Sequence, residues 1–336
     1  MKMQILAALA GFLAVALIVV AYLFFGAVEN VPQEEPMPVV IVVRNPPSLD
    51  TAWIRFRTRM EELGYRDGEN VRYVITEVST DLASTKRNIG QLLEQRPDLV
   101  YTMGVLATRA AKEAAEDLEI DAPIVFAVVS DPVGSGFVES MQHPGGNITG
   151  ITPASNLTAS KRLELLHEML PSITRVVHPW NDEKTSGAAA LREIASSLGL
   201  MLVERQIPDV AGFVEFLRTY PFRQGDAILR PSDSIGAGGF NDAVALALEH
   251  KVPLVGTNEG DTERGALMSY GTNYGDIGEA AARIAELILR GASPSEIPVE
   301  EATRFYLTVN LDTARKIGVT VPESFLLKAH RIIEGE

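Results

Sequence analysis

The 336-residue sequence contains no cysteine. That excludes disulfides, thiolate metal sites, a cysteine nucleophile and a lipid-modified N-terminal cysteine. Histidine is scarce: only His143, His167, His178, His250 and His330 occur, and no two have a metal-ligand spacing. There is no G-x-S-x-G elbow and no Walker A loop. Gly236-Ala237-Gly238-Gly239-Phe240 lacks the full dinucleotide fingerprint and reads as a flexible loop opening a helix. Positive charge is also short. Thirty Lys and Arg face 44 Asp and Glu, a net charge of −14, so nucleic acid and anionic membrane surfaces are not expected as main partners. These absences argue against an enzyme and imply no cofactor and no bound metal.

What is present is ordinary globular material, 46% hydrophobic and 22% charged, in a chain long enough for two domains of about 150 residues each. The exception is the N-terminus. Ile5 to Val28 is an uninterrupted apolar run of 24 residues, long enough as a helix to span a hydrocarbon core of about 30 Å. Lys2 precedes it and Glu29, Glu34 and Glu35 follow, which orients the tail inside and the body outside. Bulky Phe25 stands where signal cleavage wants a small residue, so residues 1–28 are expected to stay as a transmembrane anchor. Residues 29–37, rich in Pro and Glu, form a tether.

Beyond the tether, strand patterns alternate with helical ones, the pattern of βαβ units and parallel sheets. Trp53, Phe56, Met60 and Leu63 recur at 3-4-3 spacing in a helix stopped by Gly64. Ile124 to Val129 reads as a buried strand that breaks at Ser130-Asp131-Pro132, leaving a carboxylate at its end. The turn cluster His143-Pro144-Gly145-Gly146-Asn147 then leads into Ile148 to Ile151, read as the passage over a hinge into a second body. Past it the same β-α alternation restarts. Asn156 is expected to cap a helix from Leu157 to Leu170, and Thr185 to Leu198 to form one helix.

Six motifs in order carry a resemblance. They are Asp131-Pro132-Val133, Pro144-Gly145-Gly146-Asn147-Ile148-Thr149-Gly150, Lys161-Arg162-Leu163-Glu164-Leu165-Leu166, Gly265-Ala266-Leu267-Met268-Ser269-Tyr270-Gly271, Ile297-Pro298-Val299-Glu300, and Val309-Asn310-Leu311 through Gly318. Together they are similar to the ABC-transporter substrate-binding proteins of the tryptophan/tyrosine-binding type, over essentially all of Met37 to Glu334. The resemblance implies a type I periplasmic-binding-protein fold: two doubly wound parallel-sheet α/β lobes joined by three crossovers, behind the N-terminal hydrophobic helix. Lobe 1 would hold residues 38–150 and about 272–297, and lobe 2 residues 151–271 and about 298–336. The crossovers would fall near Gly150, Gly271 and Pro298 to Thr303.

It further implies an extracytoplasmic solute-binding protein of an ABC importer. A small polar ligand, an amino acid or related carboxylate, would sit in the inter-lobe cleft, with an ABC permease as the membrane partner. A tethered ligand-sensing ectodomain that signals through a partner is the alternative of another class. Loops after strands should face the cleft. In lobe 1 these offer Asn45, Ser48, Asp50, Gly104, Val105, Ala107, Ser130 and Asp131; in lobe 2, Trp180, Asn181, Ser232, Asp233, Asn258 and Glu259. Helix-start N–H groups and hydroxyls suit a carboxylate, Asp131 or Asp233 an ammonium, and Trp180 an apolar or aromatic moiety. Three departures fall among them: Pro179-Trp180-Asn181 replaces the family's Asn-Pro pair, Val105-Leu106 a Thr-Pro pair, and Arg230 the apolar residue common before Pro231. Ligand identity therefore does not carry over.

Overall fold

The computed structural model describes residues 37–44, 49–78 and 81–335. The Ile5 to Val28 run, the tether up to Pro36, and Asn45 and Ser48 lie outside them. Among the described residues no helix is long and apolar enough to cross a membrane.

Apolar, β-branched runs become strands buried on both faces. In the first lobe β1 (Val39–Arg44), β2 (Arg72–Glu77), β3 (Leu99–Met103), β4 (Ile124–Ala127) and β5 (Ile148–Thr152) are interleaved with α1 (Asp50–Glu62), α2 (Leu82–Leu93) and α3 (Val105–Asp117). They pair in parallel in the order β2-β1-β3-β4-β5. In the second lobe β6 (Arg175–Trp180), β7 (Met201–Gln206), β8 (Asp226–Leu229), β9 (Leu254–Gly256) and β10 (Met268–Gly271) take the same relative order, β7-β6-β8-β9-β10. Their helices are α4 (Ser155–Met169), α5 (Glu183–Ser186), α6 (Ala188–Ser197), α7 (Val210–Thr219), α8 (Ser234–Gly238), α9 (Phe240–Glu249) and α10 (Glu259–Glu263). The repeated order makes each lobe a three-layer doubly wound unit.

The chain then goes back. Helix α11 (Tyr274–Leu289) packs Ile277, Ala281, Ile284 and Ile288 into the first lobe's core with Ala52, Trp53, Phe56 and Met60 of α1. A methyl group at Gly278 would overlap the Ala52 carbonyl, so glycine is what lets the two helices approach. Strand β11 (Glu300–Glu301) adds to β5, and β12 (Tyr306–Asn310), α12 (Leu311–Ile317), α13 (Glu323–Leu326) and β13 (Arg331–Ile333) complete the second lobe. Strand β12 runs antiparallel to β10, so the second sheet is mixed rather than wholly parallel.

Several local expectations give way to geometry. Strand β4 stops at Ala127 because Val128 turns into the left-handed region at φ 59°, a conformation costly for a β-branched residue. Ile148 to Ile151 do not carry the chain into a second body. They pair with Ile124 to Ala127 inside the first sheet, and the chain leaves that sheet only after Thr152. The His143 to Asn147 cluster precedes β5 and so sits at the opposite edge from the crossing. Helix α4 begins at Ser155, after Pro153 and a left-handed Ala154 (φ 50°), so Asn156 lies inside its first turn instead of capping it. The expected single helix Thr185 to Leu198 is broken at Gly187 (φ 85°), where a methyl group would strike the Ala159 side chain. The glycine-rich run is not a flexible loop either. It forms α8, capped by Asp233, and side chains at Gly236 and Gly239 would overlap the Pro231 carbonyl and the Phe213 ring.

Candidate functional site

Two of the crossings are short, and that brings two sheet edges face to face. Pro153 and Ala154 alone join the end of β5 to α4; Thr272 and Asn273 alone join the end of β10 to α11. Three Cα–Cα steps of 3.8 Å span at most about 11 Å. In a β-α unit the helix start lies at the carboxyl edge of its own sheet. The carboxyl edges of both sheets therefore oppose each other across a cleft, the position where open α/β sheets bind ligands.

The first-lobe wall follows from its strand ends. After β1, Arg44 donates from Nη2 to Asp50 Oδ1 at 2.6 Å, and its Nη1 lies 3.7 Å from Glu77 at the end of β2. Asp50 is thus engaged by its own lobe. After β3, Gly104 (φ 87°) makes the turn into α3, and Thr108 ties it down through the Gly104 carbonyl and Thr102 Oγ1, both at 2.9 Å. Ala107 packs into the core, whereas Val105 stays exposed at the rim. After β4, Ser130 and Asp131 are half-buried. Asp131 Oδ1 accepts the Gly134 N–H at 2.7 Å, and Oδ2 has no hydrogen bond among the described residues. Left-handed Val128 and Ala154 both stand at this rim, a concentration of backbone strain of the kind found at ligand sites.

The second-lobe wall is knitted more tightly. The buried Asp233 carboxylate accepts the N–H groups of Asn181 (2.7 Å), Gly236 (3.2 Å) and Asp182 (3.4 Å). Burial pushes its carboxyl up, and those donors oppose the shift. Asn181 extends from Nδ2 to the carbonyls of Ile207 and Pro208. Asp233 and Asn181 therefore hold the loops after β6, β7 and β8 together. Asn258 caps α10 and donates from Nδ2 to Tyr274 Oη at 3.2 Å, and Glu259 accepts from Asn273 at 2.7 Å, so both address the β10–α11 crossing. Trp180 donates from Nε1 to Glu204 Oε1 at 3.2 Å, and Glu204 also accepts from Arg192. The indole N–H is thereby held within its own lobe, toward edge strand β7. Pro179 is tolerated beside it because β6 pairs only with β7 beyond Val177.

Buried charge lies directly behind this wall. Arg230 is 6% exposed and donates from Nε to the Gly236 carbonyl and from Nη1 to Thr257 Oγ1 and to Asp261 Oδ2. Arg162 of α4 is 1% exposed and donates from Nη2 to Ser232 Oγ at 3.0 Å. His178 is fully buried, its Nδ1 2.9 Å from the Leu229 carbonyl. Neither Arg162 nor Asp261 belongs to the loop set named from sequence. Arg162 left one visible signal: a guanidinium at 3-4 spacing with Ala159, Leu163 and Leu166 interrupts an otherwise apolar helix face. Among the described residues no group of His, Asp or Glu is arranged to hold a metal ion.

Cavity size alone would mislead. The larger cavity, about 570 Å³, is lined by Ile120, Asp121, Phe137 and Pro144 to Ile148, at the opposite edge of the first sheet from the cleft. A smaller one of about 250 Å³ lies between Thr51, Asn258, Glu259, Asn273, Tyr274 and Arg331, beside the second crossing. Neither cavity is lined by Asp131 or Ser232; open α/β sheets bind ligands at the carboxyl ends of their strands, which here border the cleft.

Known proteins share this fold. The chain is 27% identical over 276 residues to the tyrosine-binding protein of Clostridioides difficile, covering 81% of this chain and 78% of that protein. It superposes on a conserved domain protein of Vibrio cholerae with a TM-score of 0.76 at 26% identity, over 88% of this chain and 99% of that one. It also superposes on the ABC domain from Streptococcus pneumonia in complex with L-Trp, with a TM-score of 0.77, over 89% of this chain and 100% of that one; at 24% identity this likeness speaks for the fold alone. The family described as ABC transporter substrate binding protein matches residues 38–333, which take in both lobes and every crossing between them, and the chain belongs to that family.

Proposed function

We propose that the protein takes an amino acid or related carboxylate into the cleft between its lobes and hands it to an ABC permease outside the cytoplasm. The family is one of solute binding and not of catalysis, so the work is done by closure of two bodies on a ligand. The observation that carries this reading is the opposition of two carboxyl sheet edges across two-residue crossings, each edge bearing polar groups. The name of the tyrosine-binding relative supports an amino-acid ligand. In the first lobe Asp131, whose Oδ2 has no hydrogen bond among the described residues, is the group suited to the ligand's ammonium.

Titration calorimetry of residues 37–336 against the common amino acids tests this. Binding is expected for at least one, and Asp131→Ala should weaken it more than tenfold, the loss of a charge-assisted contact costing about 2–5 kcal/mol. A wild type that binds none of them overturns the reading, whereas unchanged affinity in Asp131→Ala removes only the ammonium anchor. Ile5 to Val28 would tether this body to the membrane. The intact mass of the native protein is expected to include that run; a mature chain beginning near Val28 rules the tether out.

A further inference from the structure

We propose that Ser232, with Arg162 behind it, is the contact through which the second lobe reads the ligand's carboxylate; this rests on the reading of the cleft given above. A serine hydroxyl has one hydrogen and two lone pairs, and a guanidinium only donates, so the direction of the 3.0 Å Arg162 Nη2 to Ser232 Oγ bond is fixed. Ser232 accepts from Arg162, and its own hydrogen must point elsewhere. No second hydrogen bond of Ser232 Oγ occurs among the described residues. Ser232 ends the β8 strand turn and is half-buried at the cleft edge, whereas Arg162 is 1% exposed. The cation thus lies at the back, and the hydroxyl, whose hydrogen no described residue accepts, lies at the front.

That geometry discriminates by charge. A hydroxyl polarised by a guanidinium in a low-dielectric surround donates strongly to an oxyanion and poorly to a neutral acceptor. The same positive charge repels an ammonium. Burial, with Arg230 nearby, lowers Arg162 to about 10, which leaves it charged at neutral pH. Asp131 on the opposing lobe offers an acceptor instead. The two lobes therefore present opposite polarity, matched to the two ends of a zwitterion. Arg162 touches no ligand and serves as a positioning residue that acts through Ser232.

The test pairs an amino acid that binds in the calorimetry above with its carboxamide, beginning with L-tryptophan and L-tryptophanamide. Ser232→Ala is expected to weaken the acid about 10- to 100-fold, the worth of a hydrogen bond to a charged group, and to leave the amide nearly unchanged. Ser232→Thr, which keeps the hydroxyl, should restore the preference for the acid. Arg162→Met should lower the acid-to-amide ratio, which a merely structural arginine would leave intact; should it not fold, the two Ser232 variants decide alone. Equal losses on acid and amide in Ser232→Ala, or a wild type that does not distinguish them, overturn this assignment while an amino-acid cleft stands. A wild type that binds no amino acid takes down both.

Discussion

As the pH falls from 6.5 to about 4, the folded protein should lose about 3 kcal/mol of stability through one imidazole, His178. The residue is fully buried in β6. Its Nδ1 lies 2.9 Å from the Leu229 carbonyl, which makes Nδ1–H the donor, and Nε2 has no partner among the described residues. Burial lowers its pKa to about 4; the Leu229 carbonyl opposes this, and Arg162 and Arg192 add to it. The sign follows from where the proton goes. Above pH 6.5 both states hold the ring neutral and stability is full. Between 6.5 and 4 the unfolded chain takes a proton that the folded chain refuses, so acid favours unfolding; below 4 both are protonated and the loss levels off.

Urea unfolding at several pH values should therefore show a slope in that window. His178→Asn, whose Nδ2 can replace the Nδ1 donor, should flatten it. The variant also separates His178 from Asp233, whose raised carboxyl pKa acts with the opposite slope but is common to both proteins. Parallel pH curves for the two proteins would show that His178 is not the acid-sensitive group.

A second large effect is expected at Asp261. This carboxylate is fully buried, and its Oδ2 accepts from Thr257 N (2.7 Å), Thr257 Oγ1 (3.1 Å) and Arg230 Nη1 (3.0 Å), while Oδ1 accepts from Arg264 (2.8 Å). The bare backbone of Gly256 makes room for it, since a methyl group there would overlap the Asp261 side chain. Asp261→Ala leaves Arg230 as a buried cation without its carboxylate, an arrangement that costs about 3–5 kcal/mol. Arg230 also stacks over Phe240, which limits its escape to solvent. The double variant Asp261→Ala/Arg230→Met should recover part of the loss, because an apolar side chain removes the stranded charge. A loss below about 1 kcal/mol for the single variant would mean that water or a shifted Arg264 solvates Arg230, contrary to this account.

Ligand binding should feel the same change. Arg230 holds the Gly236 carbonyl, Thr257 and Asp261 at once, so it braces the turn that presents Ser232. Arg230 is accordingly a brace behind the cleft. Asp233 acts similarly: with three backbone donors on its carboxylate it positions loops, whereas Asp131 accepts only the Gly134 N–H among the described residues.

The sequence by itself determined the alternation of strands and helices, the faces they bury and hence the two-lobed class. Trp53, Phe56 and Met60 recur at helical spacing and are buried, and Gly64 and Gly199 end their helices at positive φ. Those signals are local: periodicity reports which side of an element is apolar, and a glycine reports a turn that other residues resist. Only the tertiary structure decided which polar groups meet. Ser232 lies 70 residues from Arg162, Asp233 lies 52 from Asn181, and His178 lies 51 from Leu229. Such pairs depend on strand register and on where the chain crosses between sheets. Neither leaves a period in the sequence, so only the tertiary structure places Arg162, within the apolar stripe of α4, against the Ser232 turn that follows β8.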